Sequence, residues 1–328
     1  MRLSQFCRAL APLAIAGSCA IAAIIAGTAA RAADVVVPGS TDFPESMSAS
    51  SDGTLYFSSF GNGRVWRAKP GETQASEFIQ SGSNGLASAL GVLADDKSNT
   101  LYVCSDDFSA AGIKIPGGTA TSLKLFDLKT GEAKDSIAMP GQPTLCNDIV
   151  VASDGTAYVT DSFSGQILRL KPGAKEFEVW TQDPRWKVEG KAQLDGLAIL
   201  PDGAIYTNIF EGDGLYRIPI GANGSAGKIA KLQTSRALYH SDGLRAFGGK
   251  LLMVEGETKG NLDLITIDGD NAKIETIKDG FDGPVSLVQV GDQIYVLDAP
   301  LRYLLGPEAQ AKKAPPPFKA STVPAPKQ

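Results

Sequence analysis

Glu45, Asn147, Asp195 and Asp242 each stand seven residues ahead of a turn-forming residue, respectively Asp52, Asp154, Asp202 and Gly249. Three carboxylates and one amide offer only hard oxygen donors. Gathered in a partly dry cavity, the carboxylates would repel one another strongly unless a cation stood between them. An all-oxygen set suits calcium ahead of zinc or copper, so the expected cofactor is one divalent cation, with Ca2+ first. Taken singly, each Asp or Asn would serve equally well as a strand cap through a local hydrogen bond. The matched offset makes a ligand set of them, provided some scaffold brings the four together.

The scaffold is legible as a repeat. SMSASSDGTLYF begins at Ser46, CNDIVVASDGTAYV at Cys146, LDGLAILPDGAIYT at Leu194, SDGLRAFGGKLLMV at Ser241 and PVSLVQVGDQIYV at Pro284. A sixth copy, ALGVLADDKSNTLYV from Ala89, has a longer hairpin. Each reads as strand, tight turn, strand, four of the six with Asp-Gly or Gly-Gly at the turn. Third strands such as GRVWRAK, GQILRLK, DGLYRIP and NLDLITI follow, then fourth strands such as SEFIQS, FEVWTQ and KIETIK. Six four-stranded copies predict an all-β, six-bladed β-propeller of antiparallel blades over 33–308. The offset then has a meaning. Residues ahead of the first strand of each blade converge on the central channel at one mouth. In the second and sixth copies the equivalent positions, read by the same ruler, are Ser88 or Ala89 and Pro284. The last copy takes LRYLLG as its third strand and lacks a fourth, and ADVVVPGS near the start is expected to complete that blade and close the ring.

The chain has 328 residues, 43% hydrophobic and 20% charged, which is a globular composition. Arg2 and Arg8 precede an apolar stretch ending at Ala30-Arg31-Ala32, and residues 1–32 read as a cleaved secretory signal, with an uncleaved anchor as the alternative. Residues 309–328, rich in proline, lysine and alanine, read as a disordered tail. Without the three arginines of the one and the four lysines of the other, 24 basic residues face 36 acidic ones, a net charge of −12. Such a body repels nucleic acid and anionic membranes and suits cation binding. The expectations are a periplasmic or secreted monomer acting on a small molecule. Only Cys104 and Cys146 remain after the signal, and they are candidates for one disulfide. No GxSxG, HExxH, CxxC or phosphate-binding glycine loop occurs, which argues against serine hydrolases, zinc sites and P-loop enzymes.

PES, CNDIVVASDGTAYVTD, LDGLAILPDG and SDGLRAFGGKLLMVEG together resemble the family of senescence marker protein 30, gluconolactonase and luciferin-regenerating enzyme, over about Phe43 to Asp298. The resemblance implies a propeller holding one divalent cation and hydrolysing lactones. It also implies Glu45, Asn147, Asp195 and Asp242 as metal ligands, with Asp242 as general base. The chain departs from the family at Asp195, usually asparagine, at Ile149, usually glycine, and at Leu145, usually an arginine that meets polar substrate. Asp148, Asp161, Asn208 and Glu255 are further candidates near the mouth, with ordinary strand-end hydrogen bonding as the alternative. His240, the chain's single histidine, lies two residues before Asp242 and is read as a rim residue or a proton donor. A non-catalytic recognition or sensor propeller using the same cation site is the rival reading, since the fold hosts many functions.

Overall fold

The structure, a computed structural model, describes residues 33–256 and 258–327. The expected signal segment lies outside them. Six sheets are present, five of four strands and one of five. The first strands of the blades are Met47–Ala49, Ser88–Asp95, Cys146–Val151, Leu194–Ile199, Ser241–Phe247 and Pro284–Val290. Each lies against the first strand of the next blade, and the sixth against the first, so they enclose a common axis. The expected propeller is present.

Strand burial follows from that stacking. Second strands such as Leu55–Ser58, Thr100–Asp106 and Ala204–Ile209 are buried at every residue, because neighbouring blades cover both faces. Their continuous apolar, β-branched and aromatic runs match that double burial. Outer strands such as Glu178–Gln182 mix exposed and buried positions. The core is accordingly divided into clusters between successive blades. Tyr158, Trp180 and Trp186 pack with Leu197 and Tyr216 between the third and fourth, and Tyr206, Leu215, Leu244 and Met253 between the fourth and fifth. The fifth blade carries the extra strand, Gln233–Thr234, parallel to the edge strand Asn271–Asp282.

The sixth blade corrects two expectations. Its third strand is Phe318–Pro324, drawn from the segment read as a disordered tail. LRYLLG instead forms a 3-10 turn over Leu301–Tyr303 and the chain that follows it. Composition misled because seven residues need not build a core of their own. Leu297 pairs with Ala320 on one side and Val35 pairs with Ala320 on the other, so both ladders satisfy the strand. Phe318 and Val323 are buried against neighbours, with the Phe318 ring 4.9 Å from that of Phe43. The N-terminal strand Val35–Val37 is then the outermost strand of this blade, as expected, and its Val36 also exchanges hydrogen bonds with Thr73 and Ala75 of the first. Lys319, counted with the tail, therefore belongs to the folded body.

Cys104 and Cys146 are bonded, with Cα atoms 5.1 Å apart, and join the second strand of the second blade to the first strand of the third. Removing a native disulfide from a folded domain costs about 2–5 kcal/mol. A Cys104→Ala, Cys146→Ala variant should lose that much in denaturant unfolding, while retaining the same far-ultraviolet circular dichroism. Deleting residues 318–328 removes a central strand of the last blade. It should lower the unfolding midpoint by roughly 10 °C or more, whereas loss of an unstructured tail would leave it in place.

Candidate functional site

Glu45 lies just ahead of the first strand of its blade, and Asn147, Asp195 and Asp242 are the second residues of theirs. All four are buried and line one small cavity on the axis, with Asp148, Arg245, Ser46, Val285 and Ser286. The local backbone explains how side chains at the start of a strand face inward. In the third, fourth and fifth blades the pairing of first and second strands is interrupted at this point. Cys146 pairs with Asp161 and Ile149 with Val159, Leu194 with Ile209 and Leu197 with Thr207, Ser241 with Glu255 and Leu244 with Met253. Two residues of one strand thus oppose a single residue of the other, a β-bulge that redirects the side chains within it.

The second residue of each Asp-Gly pair is set by crowding at the axis. A Cβ on Gly196 would stand 2.6 Å from Leu244 Cβ, and one on Gly243 would stand 2.9 Å from Ser286 Cα. Adjacent strands approach too closely there for any side chain. The same interruption lies between Ala89 and Val92, and a single extra residue, Val285, lies between Pro284 and Ser286. The site positions of the second and sixth blades are therefore Leu90 and Val285, not Ser88 or Ala89 and Pro284. The offset failed by one residue in the sixth blade because Gly291 opens its two-residue turn while Gly249 closes the turn of the fifth. The result is a polar quartet with two apolar positions.

The other candidates separate by location. Asp148 lines the cavity itself, where its Oδ2 accepts from the Leu197 N–H at 2.8 Å and from Arg245 Nη1 at 2.6 Å. One carboxylate thus ties three blades together beneath the quartet. Asn208 donates through Nδ2 to the carbonyls of Ser241 at 2.6 Å and Asp242 at 3.0 Å, fixing the backbone that carries Asp242. His240 adopts φ of 45° and stacks between Phe210 and Tyr239, beside Asp242 in a neighbouring cavity. Asp161 and Glu255 lie outside the cavity. Asp161 accepts from Thr144 and the Leu145 N–H, and Glu255 accepts from the Tyr239 N–H and pairs with Arg236, so both shape loops of the mouth.

Sequence reasoning missed Arg245 and Asp106. Arg245 is a cation in the middle of SDGLRAF, a first strand whose neighbours at that point are apolar, and this mismatch was its signal. Asp106 ends the second strand of the second blade and accepts from the Cys146 N–H at 2.9 Å, next to the disulfide. It also missed an aromatic rim. In four successive blades the second strand carries a tyrosine, Tyr56, Tyr102, Tyr158 and Tyr206, followed four to six residues later by Phe60, Phe108, Phe163 and Phe210. All four phenylalanines line a cavity of about 280 Å3 that opens above the quartet.

The electrostatics are those of crowded like charges. Burial, and then the neighbouring Asp195, Glu45 and Asp148, push the Asp242 carboxyl well above the usual range. Burial does the same to Glu45, with Asp195 and Asp148 adding to it and Arg245 opposing. Asp195 is pushed up to about 8 by burial and by Asp148, against a hydrogen bond from Asn147. Among the described residues, no group of three or more His, Cys, Asp or Glu side chains is arranged to hold a metal ion as it stands. The chemistry of the donors nonetheless fits one, since three buried carboxyls with raised pKa and a neutral amide offer only oxygen donors to a cation.

No protein-family model matches the chain, and no curated protein sequence does either. Solved structures do. A calcium-binding protein, regucalcin, from Agrobacterium tumefaciens is 15% identical, covers 91% of this chain and 96% of its own, and has a TM-score of 0.63. A gluconolactonase from Xanthomonas campestris is 14% identical, with 91% and 93% covered and a TM-score of 0.59. A PQQ-bound aldose sugar dehydrogenase from Streptomyces coelicolor is 17% identical, with 88% and 96% covered and a TM-score of 0.59. What they share with this chain is the fold. The first two carry functions that the sequence motifs had suggested, and the third carries a different one.

A pH dependence follows from the raised carboxyls. Each holds its proton more tightly in the folded than in the unfolded chain, so its contribution to stability is full at low pH and is lost as pH rises through the folded value. With chelator present, stability should therefore fall between about pH 4 and the region of about 8 set by Asp195. Asp195→Asn should reduce that fall in denaturant titrations across the window. Equal slopes for the two proteins would assign the dependence elsewhere.

Proposed function

We propose that this protein is a divalent-cation-dependent hydrolase of lactones or related esters, with calcium as the cation. The observation that carries the reading is that Glu45, Asn147, Asp195 and Asp242, from four blades, line a single buried cavity at the axis. Support comes also from the fold shared with a gluconolactonase and a calcium-binding regucalcin. The four residues would hold the ion, and an ion so held would polarise the scissile carbonyl and stabilise the oxyanion.

The protein's own groups supply the remainder. Asp242 takes a proton from the water that attacks the carbonyl carbon and returns it to the ring oxygen as the C–O bond breaks, giving the hydroxy acid. Its buried position favours proton uptake, as a general base requires. Asn208 keeps Asp242 from turning away by gripping the backbone on both sides of Ser241–Asp242. The Asp148–Arg245 pair closes the cavity below, and Arg245 offsets part of the negative charge. His240, stacked beside Asp242, is placed to border the leaving group.

Export is part of the same proposal. The Cys104–Cys146 bond suits an oxidising compartment, and residues 1–32 have the pattern of a secretory signal. No helix among the described residues is long and apolar enough to cross a membrane.

Lactones and aryl esters assayed with and without chelator provide the test. Asp242→Asn should lower kcat by about 10²–10⁴-fold and chelation should abolish turnover, with activity restored by added calcium. Asp195→Ala should weaken calcium binding in calorimetry. Tight calcium binding with no turnover of any substrate would instead establish the recognition or sensor propeller.

A further inference from the structure

The cavity above the quartet has a composition that narrows the substrate. Apart from Glu45, Asn147, Asp195 and Asp242 at its base, every residue lining it is apolar. Phe60, Phe108, Phe163 and Phe210 come from the turns after the second strands of four successive blades, and Leu145 and Leu301 line the cavity with them. Phe60 and Phe108 pack against each other, with ring centroids 4.7 Å apart, so that wall is preformed. Two long connections contribute as well. Residues 107–121 of the second blade bring Phe108, and residues 299–317 of the sixth bring Leu301 and Leu305.

We infer that the substrate carries an apolar aliphatic or aromatic substituent beside the ester bond. The chain would then prefer alkyl- or aryl-substituted lactones and esters to polyhydroxylated sugar-acid lactones. This rests on the hydrolase reading above. A sugar-acid lactone brings several hydroxyls, and the wall of the cavity offers them no donor or acceptor. Each hydroxyl stranded against phenylalanine or leucine lowers affinity about tenfold or more, since it leaves water without a new partner. An alkyl or aryl group, in contrast, gains from leaving water at the same surface. Polar atoms are confined to the base of the cavity, where the ester bond would lie, so one end of the ligand is polar and the other is not.

The test is a chain-length series of γ- and δ-lactones, butyl to decyl, beside glucono-δ-lactone, assayed as kcat/KM. Until the cavity is filled, kcat/KM should rise about fourfold per methylene, the fold-change that corresponds to burying one CH2. Phe108→Ala and Phe163→Ala, both half-buried and outside the quartet, should flatten that rise. A flat series, or preference for the sugar lactone, would overturn the inference while leaving the hydrolase standing. Should no lactone be turned over, the hydrolase reading fails instead, and the matching series of unreactive lactams, followed by calorimetry, decides this inference separately. Affinity that climbs with chain length supports the apolar cavity, and affinity independent of it overturns that cavity as the recognition element.

Discussion

Like charges forced together out of water dominate this molecule. Glu45, Asp195 and Asp242 occupy one buried cavity with Asp148 beneath them, and burial and mutual repulsion raise the pKa of all three members of the quartet that can ionise. A propeller can impose such an arrangement because its blades are held by their own interblade cores, well away from the axis. Unfavourable charge at the centre is offset by apolar burial further out.

Several features keep the quartet from relaxing outward. The β-bulges re-aim the side chains, while Gly196 and Gly243 let the first strands approach until no Cβ would fit. Asp148 ties the third, fourth and fifth blades through one carboxylate. Asn208 clamps the strand that bears Asp242, and the Cys104–Cys146 bond fixes the strand that bears Asn147. Asp161 and Glu255 act one layer further out, on the loops rather than on the cavity. The site is thus a property of blade spacing, not of any one strand.

Much of this could be read from the chain because blades repeat. The strand–turn–strand pattern recurs along the chain, and a residue at a constant offset from a turn recurs at a similar height on the axis. The limits of that ruler are equally physical. It slipped at Pro284 because the glycine that marks the turn opens it in the sixth blade and closes it in the fifth. It was silent on Arg245 and Asp106, which do not recur, since an ion pair across the axis needs only one cation. It missed the phenylalanine rim because the spacing from each tyrosine varies from four to six residues with the length of the turn. Composition misread Phe318–Pro324 for a related reason: a strand paired on both sides takes its stability from partners far away in sequence.

That last strand has a consequence for how the molecule is born. Thr322 accepts its place beside Asp34, 288 residues earlier, through a hydrogen bond from its N–H to the Asp34 carboxylate. The sixth blade joins Val35–Val37 to Phe318–Pro324, so it cannot assemble until the latter strand has been made. Until then the ring stays open, with a first and a fifth blade that lack a common neighbour. Completion is a closing event of very long range, and such contacts form slowly because the intervening chain must first be ordered.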